Sequence, residues 1–210
     1  MPIDNYTLVY IPENYSSRLK HNNTDTHIYY LRPYNTGLGT TGGGYANYQG
    51  DEMLVTGKYD FEYRIPFLPK GKYEIRFGFS ASDARGVAQF YFDGNICGIP
   101  LDMRSQNSAF MGWFEESTSD DDNRKNDKAM RNRGYMKGPS IYTYGGNLAA
   151  RDYEGALRKI ITTKYLTKGD HWIRIKNVME DDNGYYQFMH DYIEIVPMTV
   201  IRNEEGEDRL

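Results

Sequence analysis

Apolar and polar residues alternate with a period of two through much of this chain, the pattern of strands buried on one face. Phe61, Tyr63, Ile65 and Phe67 alternate with Glu62, Arg64 and Pro66. Pro66 marks an edge or an end of that strand, because proline brings no N–H to a ladder. Pro69-Lys70-Gly71 then turns the chain. Tyr73, Ile75, Phe77 and Phe79 line one face of the next strand, with Lys72, Glu74 and Arg76 on the other. Two such runs about a short turn predict a hairpin. Ala88, Phe90 and Phe92 share a face of the strand that starts at Val87, Asp93-Gly94 forms a tight turn, and Asn95 to Ile99 returns.

The same period reappears in the C-terminal third, where strands are expected over Leu157 to Leu166, His171 to Val178 and Tyr185 to Val196. Ile173 and Ile175 face one way, and Trp172, Arg174 and Lys176 the other. Met189, Asp191, Ile193 and Ile195 share a face. Before residue 50 the strand candidates are Thr7 to Ile11 and His27 to Arg32. The glycine-threonine run from Gly37 to Gly44 lacks the Lys-Ser/Thr ending of a phosphate loop and reads as a surface connection. Residues 102–138 form a long polar insertion with one short helical turn over 127–132. Short strands between glycine turns, without amphipathic helices, predict an all-β, antiparallel β-sandwich of jelly-roll type. One domain spans 1–210: N-terminal strands and loops over 1–50, the core over 51–197, and a charged, frayed tail over 198–210.

Composition sharpens this picture at a few points. Hydrophobic residues make up 39% and charged residues 26%, which is normal for a folded domain. Twenty tyrosines suit half-wet strands and polar recognition surfaces alike. A net charge of −4 without any long basic run argues against nucleic acid as a partner. Cys97 is the single cysteine, so no intrachain disulfide forms, and its apolar neighbours predict a buried thiol. No run of 18 apolar residues marks a transmembrane segment, and the start of the chain shows no signal-peptide pattern.

Candidate chemistry is sparse. Glu115/Glu116, Asp120 to Asp122 and Asp181/Asp182 are adjacent carboxylates of the kind found on solvated turns. The histidines, His21, His27, His171 and His190, lack metal-ligand spacing. No Gly-x-Ser-x-Gly elbow is present, and no catalytic residue is assigned. Asp191 falls on an apolar phase, where a carboxylate needs arginine, backbone donors or a metal; calcium suits such oxygen donors. For ligand binding, the aromatic and basic residues between the scaffold strands are the candidates: Trp113, Arg133, Tyr135, Tyr142, Tyr144, Tyr185 and Tyr186.

Several strings carry a family likeness. Gly71-Lys-Tyr-Glu-Ile-Arg-Phe77, Phe92-Asp93-Gly94, Gly169-Asp-His-Trp-Ile-Arg-Ile175 and Asp191-Tyr-Ile-Glu-Ile-Val-Pro197 resemble, in the same order, motifs of family 6 and family 35 carbohydrate-binding modules. Closer still, Arg85-Gly-Val-Ala-Gln-Phe-Tyr-Phe-Asp-Gly-Asn-Ile-Cys-Gly-Ile-Pro-Leu-Asp-Met-Arg104, Met130-Arg-Asn-Arg-Gly-Tyr-Met-Lys-Gly-Pro139 and Gln187-Phe-Met-His-Asp-Tyr-Ile-Glu-Ile-Val-Pro197 resemble the C-terminal domain of fasciclin-containing surface lipoproteins of Bacteroidetes. The resemblance spans about residues 50–197 and implies a galactose-binding-like sandwich. It also implies structural calcium held partly by Asp191. The resulting expectation is a non-catalytic module, extracytoplasmic in the periplasm or on the outer-membrane surface, that binds a glycan or a surface protein as a monomer or weak oligomer. The alternatives are a structural or protein-interaction sandwich and, third, a carbohydrate-active enzyme.

Overall fold

A computed structural model describes residues 6–12, 16–33, 52–80, 85–104, 125, 128–139, 151–179 and 186–199. Among the described residues twelve strands run in chain order: β1 (Tyr6–Ile11), β2 (Leu19–His21), β3 (His27–Pro33), β4 (Glu52–Thr56), β5 (Asp60–Leu68), β6 (Gly71–Ser80), β7 (Val87–Phe92), β8 (Asn95–Asp102), β9 (Tyr135–Pro139), β10 (Arg151–Leu166), β11 (Gly169–Asn177) and β12 (Phe188–Pro197). They form a seven-stranded sheet, ordered β1-β3-β4-β12-β6-β10-β9, and a five-stranded sheet, ordered β2-β5-β11-β7-β8. All strand pairs within the sheets are antiparallel. The architecture is the all-β sandwich that the alternation predicts. Among the described residues no helix is long and apolar enough to cross a membrane.

The core lies between the sheets and follows the period-two faces. Tyr73, Ile75, Phe77 and Phe79 of β6 are buried against Ile173 and Ile175 of β11 and Ala88, Phe90 and Phe92 of β7. Apolar area removed from water contributes about 25 cal/mol per Å², so these rows are the main source of stability. The Asp93-Gly94 turn has positive φ at both residues, 49° and 75°, which matches the right-handed twist of its flanking strands. Cys97 is buried, and burial raises its thiol pKa.

Two bulges shift faces that strict alternation assigns differently. Gly169 pairs with Leu68 but His171 with Ile65, so β5 carries an extra residue beside Pro66. Phe67 consequently faces solvent, 58% exposed, and Leu68 packs on the core instead. In β12, His190 pairs with Phe79 and Tyr192 with Gly78, leaving Asp191 as the inserted residue. Phe188 and His190 therefore meet core rings before the bulge, and Ile193 and Ile195 pack on the core after it. Met189 does not share their face. It is buried on the opposite one, where Arg85 Nη2 lies 2.8 Å from its sulfur. The Asp191 side chain lies outside the described residues.

The outward side of β6 is also covered, although its charges suggest solvent. Arg76, 3% exposed, donates from Nε to Glu74 at 2.6 Å, and Glu194 lies 3.5 Å from both Arg76 and Arg158. Opposite charges in one ladder allow this burial. Gly78 sits under the Tyr192 ring, where a Cβ would come within 2.5 Å. That close approach explains a glycine in mid-strand. The helical turn expected over 127–132 covers residues 128–132, and it leads into β9, a strand the alternation does not reveal. The run from Gly37 to Gly44 lies outside the described residues.

Candidate functional site

The residues proposed from sequence divide into three groups. Trp113, Tyr142, Tyr144 and Tyr185 lie outside the described residues. Tyr186 belongs to the buried core, so its ring packs internally and is not offered to a ligand. Arg133 and Tyr135 come together at the start of β9, on either side of Gly134, whose φ of +79° ends the helical turn. Arg133 is exposed. Tyr135 is half-buried, with Lys159 Nζ 3.8 Å from its ring centroid. That ammonium also donates to the Arg133 carbonyl. Burial lowers the Lys159 pKa to about 8. Burial, followed by the negative charge of Asp102, raises that of Tyr135. The ring is thus already engaged on one face.

A larger surface is the outer face of the five-stranded sheet. Strand alternation turns Ile173 and Ile175 inward and sets Trp172, Arg174 and Lys176 on the opposite side. Neighbouring strands place one continuous row across all five: Lys20 opposite Glu62, Glu62 opposite Arg174, Arg174 opposite Tyr91, and Tyr91 opposite Ile96. Arg64 stands opposite Trp172 in the adjacent row. Lys20 Nζ lies 3.7 Å over the Trp172 ring, and the Arg174 guanidinium 5.2 Å over Tyr91. The face therefore combines two aromatic rings with fixed donors and acceptors.

Its polar groups are held in place from below. Arg174 Nε donates to Asp60 Oδ1 at 2.7 Å, and its Nη2 donates to Oδ2. Asn22 Nδ2 donates to Asp60 at 2.9 Å and to Glu62 at 3.2 Å. Burial alone would raise the Asp60 pKa, but hydrogen bonds from Arg174 and Asn22, with the charges of Arg174 and Lys176, hold it below the ordinary carboxylate value. Thr26 locks the strand end, exchanging hydrogen bonds with the Asp60 backbone at 2.9 and 3.1 Å. At the other end of the sheet, Asp93 accepts the Trp172 N–H at 2.9 Å, and its second oxygen lies 2.7 Å from His171 Nδ1. This carboxylate fixes the backbone at Trp172.

Asp60→Asn is expected to remove about 1.5–3 kcal/mol, the range for hydrogen bonds to a charged group. Because the folded pKa is lowered, the wild-type contribution is complete above the unfolded carboxylate value of about 4 and fades as pH falls through the folded one. Urea unfolding of both proteins at pH 7 and pH 3 should show the gap closing in acid; an equal gap at both would contradict the pairing.

Among the described residues, no three His, Cys, Asp or Glu side chains are grouped to hold a metal ion. No family model and no curated protein sequence matches the chain. Solved structures are similar to it, among them the following two. A xanthan lyase from Paenibacillus aligns with 90% of this chain at 14% identity and a TM-score of 0.48. The adhesin domain of Epf from Streptococcus pyogenes aligns with 90% at 12% identity and a TM-score of 0.30. The alignments span 14% of the lyase and 50% of the adhesin chain, so this chain covers less than two thirds of either.

Sequence reasoning places Trp172 outward but does not single it out. The available signal is a tryptophan in the polar phase of an alternating strand. Tyr91 and Lys20 become its neighbours only through pairing between distant segments.

Proposed function

We propose that this chain is a non-catalytic binding module of a cell-surface or periplasmic protein, and that it engages a glycan through the outer face of the five-stranded sheet. The observation that carries this reading is the registered row from Lys20 to Tyr91 beside Trp172. Aromatic faces stack on the C–H surfaces of sugar rings, while fixed polar groups orient hydroxyls. A sugar stacking on Trp172 takes the place of the Lys20 ammonium, whose side chain is exposed and free to swing aside. The likeness of the Gly-x-Tyr, Asp-Gly, Gly-x-His and Asp-Tyr-Ile-Glu strings to carbohydrate-binding modules supports the same reading. A protein partner is the second reading. It is favoured by Ile96 and Ile99, 63% and 87% exposed on β8 at the edge of this sheet.

A glycan array run with and without calcium identifies the ligand, and calorimetry then locates it. Trp172→Ala and Tyr91→Ala are each expected to weaken binding about tenfold, the scale of one aromatic contact. Arg133→Ala should bind like wild type. Wild-type affinity in both aromatic variants would reject this face, and a loss confined to Arg133→Ala would move recognition to the β9 edge.

A further inference from the structure

One end of the sandwich carries a repeated turn. Phe67-Leu68-Pro69-Lys70-Gly71 joins β5 to β6, and Tyr165-Leu166-Thr167-Lys168-Gly169 joins β10 to β11. Both follow the pattern aromatic-Leu-x-Lys-Gly, and both cross between the two sheets, so β5 and β6 do not pair as the hairpin that their alternation predicts. They close on each other, Leu68 opposite Gly169 and Leu166 opposite Gly71. In each turn the leucine points to the core and the aromatic points out. Leu166 is buried and Leu68 packs on the core, whereas Phe67 and Tyr165 are 58% and 63% exposed. Each lysine lies over the other turn's ring: Lys70 Nζ is 5.9 Å from the Tyr165 centroid, and Lys168 Nζ is 5.4 Å from that of Phe67.

Charge at this end is mostly positive. Residues 66–72 and 163–170 contain Lys70, Lys72, Lys164 and Lys168 against Asp170. The Asp170 carboxylate is bound to Arg64, and the neighbouring Asp93 is engaged by His171 and the Trp172 N–H. Large exposed apolar side chains are common singly, but here two aromatic rings stand on adjoining turns within a lysine cluster.

We infer that this end docks on an anionic lipid surface, with Phe67 and Tyr165 entering the headgroup–acyl boundary and the lysines meeting lipid phosphates. Aromatic rings settle at that boundary, and lysine stems lie along apolar surface with their ammonium groups at the headgroups. A second copy of the chain is a poorer occupant, because a two-fold contact would set lysines against lysines. An acidic polysaccharide supplies the anions but no apolar medium for a phenylalanine on a protruding turn.

The test is co-sedimentation of the full chain with phosphatidylcholine vesicles, with and without phosphatidylglycerol, at low and high salt. The chain is expected to bind only the anionic vesicles, and less at high salt. Lys70→Glu/Lys168→Glu should bind at least about thirtyfold more weakly, from the usual contribution of a lysine at an anionic surface. Phe67→Ser/Tyr165→Ser should also lose binding, while both pairs melt like wild type because the side chains are exposed. Absence of binding to anionic vesicles, or wild-type binding by both variants, would overturn the inference. Binding to soluble polygalacturonate but not to vesicles, lost in Lys70→Glu/Lys168→Glu and kept in Trp172→Ala, would overturn it as well and assign the turns to acidic polysaccharide.

Discussion

Truncation of Phe77 to alanine is expected to destabilise the fold by about 3–5 kcal/mol, the usual cost of deleting a buried aromatic ring. The ring is fully buried on β6, an interior strand of the seven-stranded sheet, and meets three others, with centroids 5.1 Å from Phe90, 5.2 Å from Phe188 and 5.0 Å from His190. These belong to β7 in one sheet and β12 in the other, so the deletion opens a cavity where the layers meet. Guanidinium unfolding reads the effect as a lower midpoint at unchanged slope. A loss below about 1 kcal/mol would show that Phe77 does not hold the layers together.

The second large effect is acid sensitivity centred on His190. Its ring is buried between Phe77, Phe188 and Tyr63, the last at 5.4 Å, and its Nδ1 has no hydrogen-bond partner among the described residues. Burial lowers the imidazole pKa from 6.5 to about 3. A folded pKa below the unfolded one means that the unfolded chain takes up the proton first. Stability is therefore complete above pH 6.5 and falls steadily as pH drops towards 3. Each pH unit in that window costs about 1.4 kcal/mol, and the full loss approaches about 5 kcal/mol. Between pH 7.5 and pH 5 the unfolding free energy should fall by about 2 kcal/mol from this group alone. His190→Phe keeps a ring in the aromatic cluster and should abolish that fall. An identical slope in the two proteins would assign the acid sensitivity elsewhere. The Asp60 contribution begins to fade only near pH 4, so the fall between pH 7.5 and pH 5 belongs to His190 and the two effects overlap only in stronger acid.

What the sequence reveals depends on how local each cause is. The β6, β7 and β11 faces are legible because side-chain direction in a strand needs only the period, and Phe77, Phe90 and Ile175 all lie where it puts them. The face swaps at Phe67 and Met189 are not legible, since an inserted residue is defined by the partner strand. Pro66 is the single local hint. Leu19–His21, Glu52–Thr56 and Tyr135–Pro139 are too short to show alternation, and they are strands because longer neighbours pair with them. The candidate site follows the same rule. Arg133 and Tyr135 stand two positions apart in sequence and come together locally, whereas Lys20, Glu62, Tyr91 and Trp172 assemble from four strands. His190 is a polar residue in an apolar setting, and alternation disrupted by a bulge gives no warning of it.

The place of β12 in the seven-stranded sheet has a consequence for biosynthesis. β12, the last of the described strands, lies between β4 and β6 and pairs with both. Until it emerges from the ribosome, β1-β3-β4 and β6-β10-β9 are separate half-sheets, each with an open inner edge. Open edges pair with whatever strand reaches them, including those of other nascent chains. Closure of this sheet thus waits for residues 188–197, and a message or chain cut short before residue 188 yields two sticky fragments of a sheet in place of a smaller folded protein.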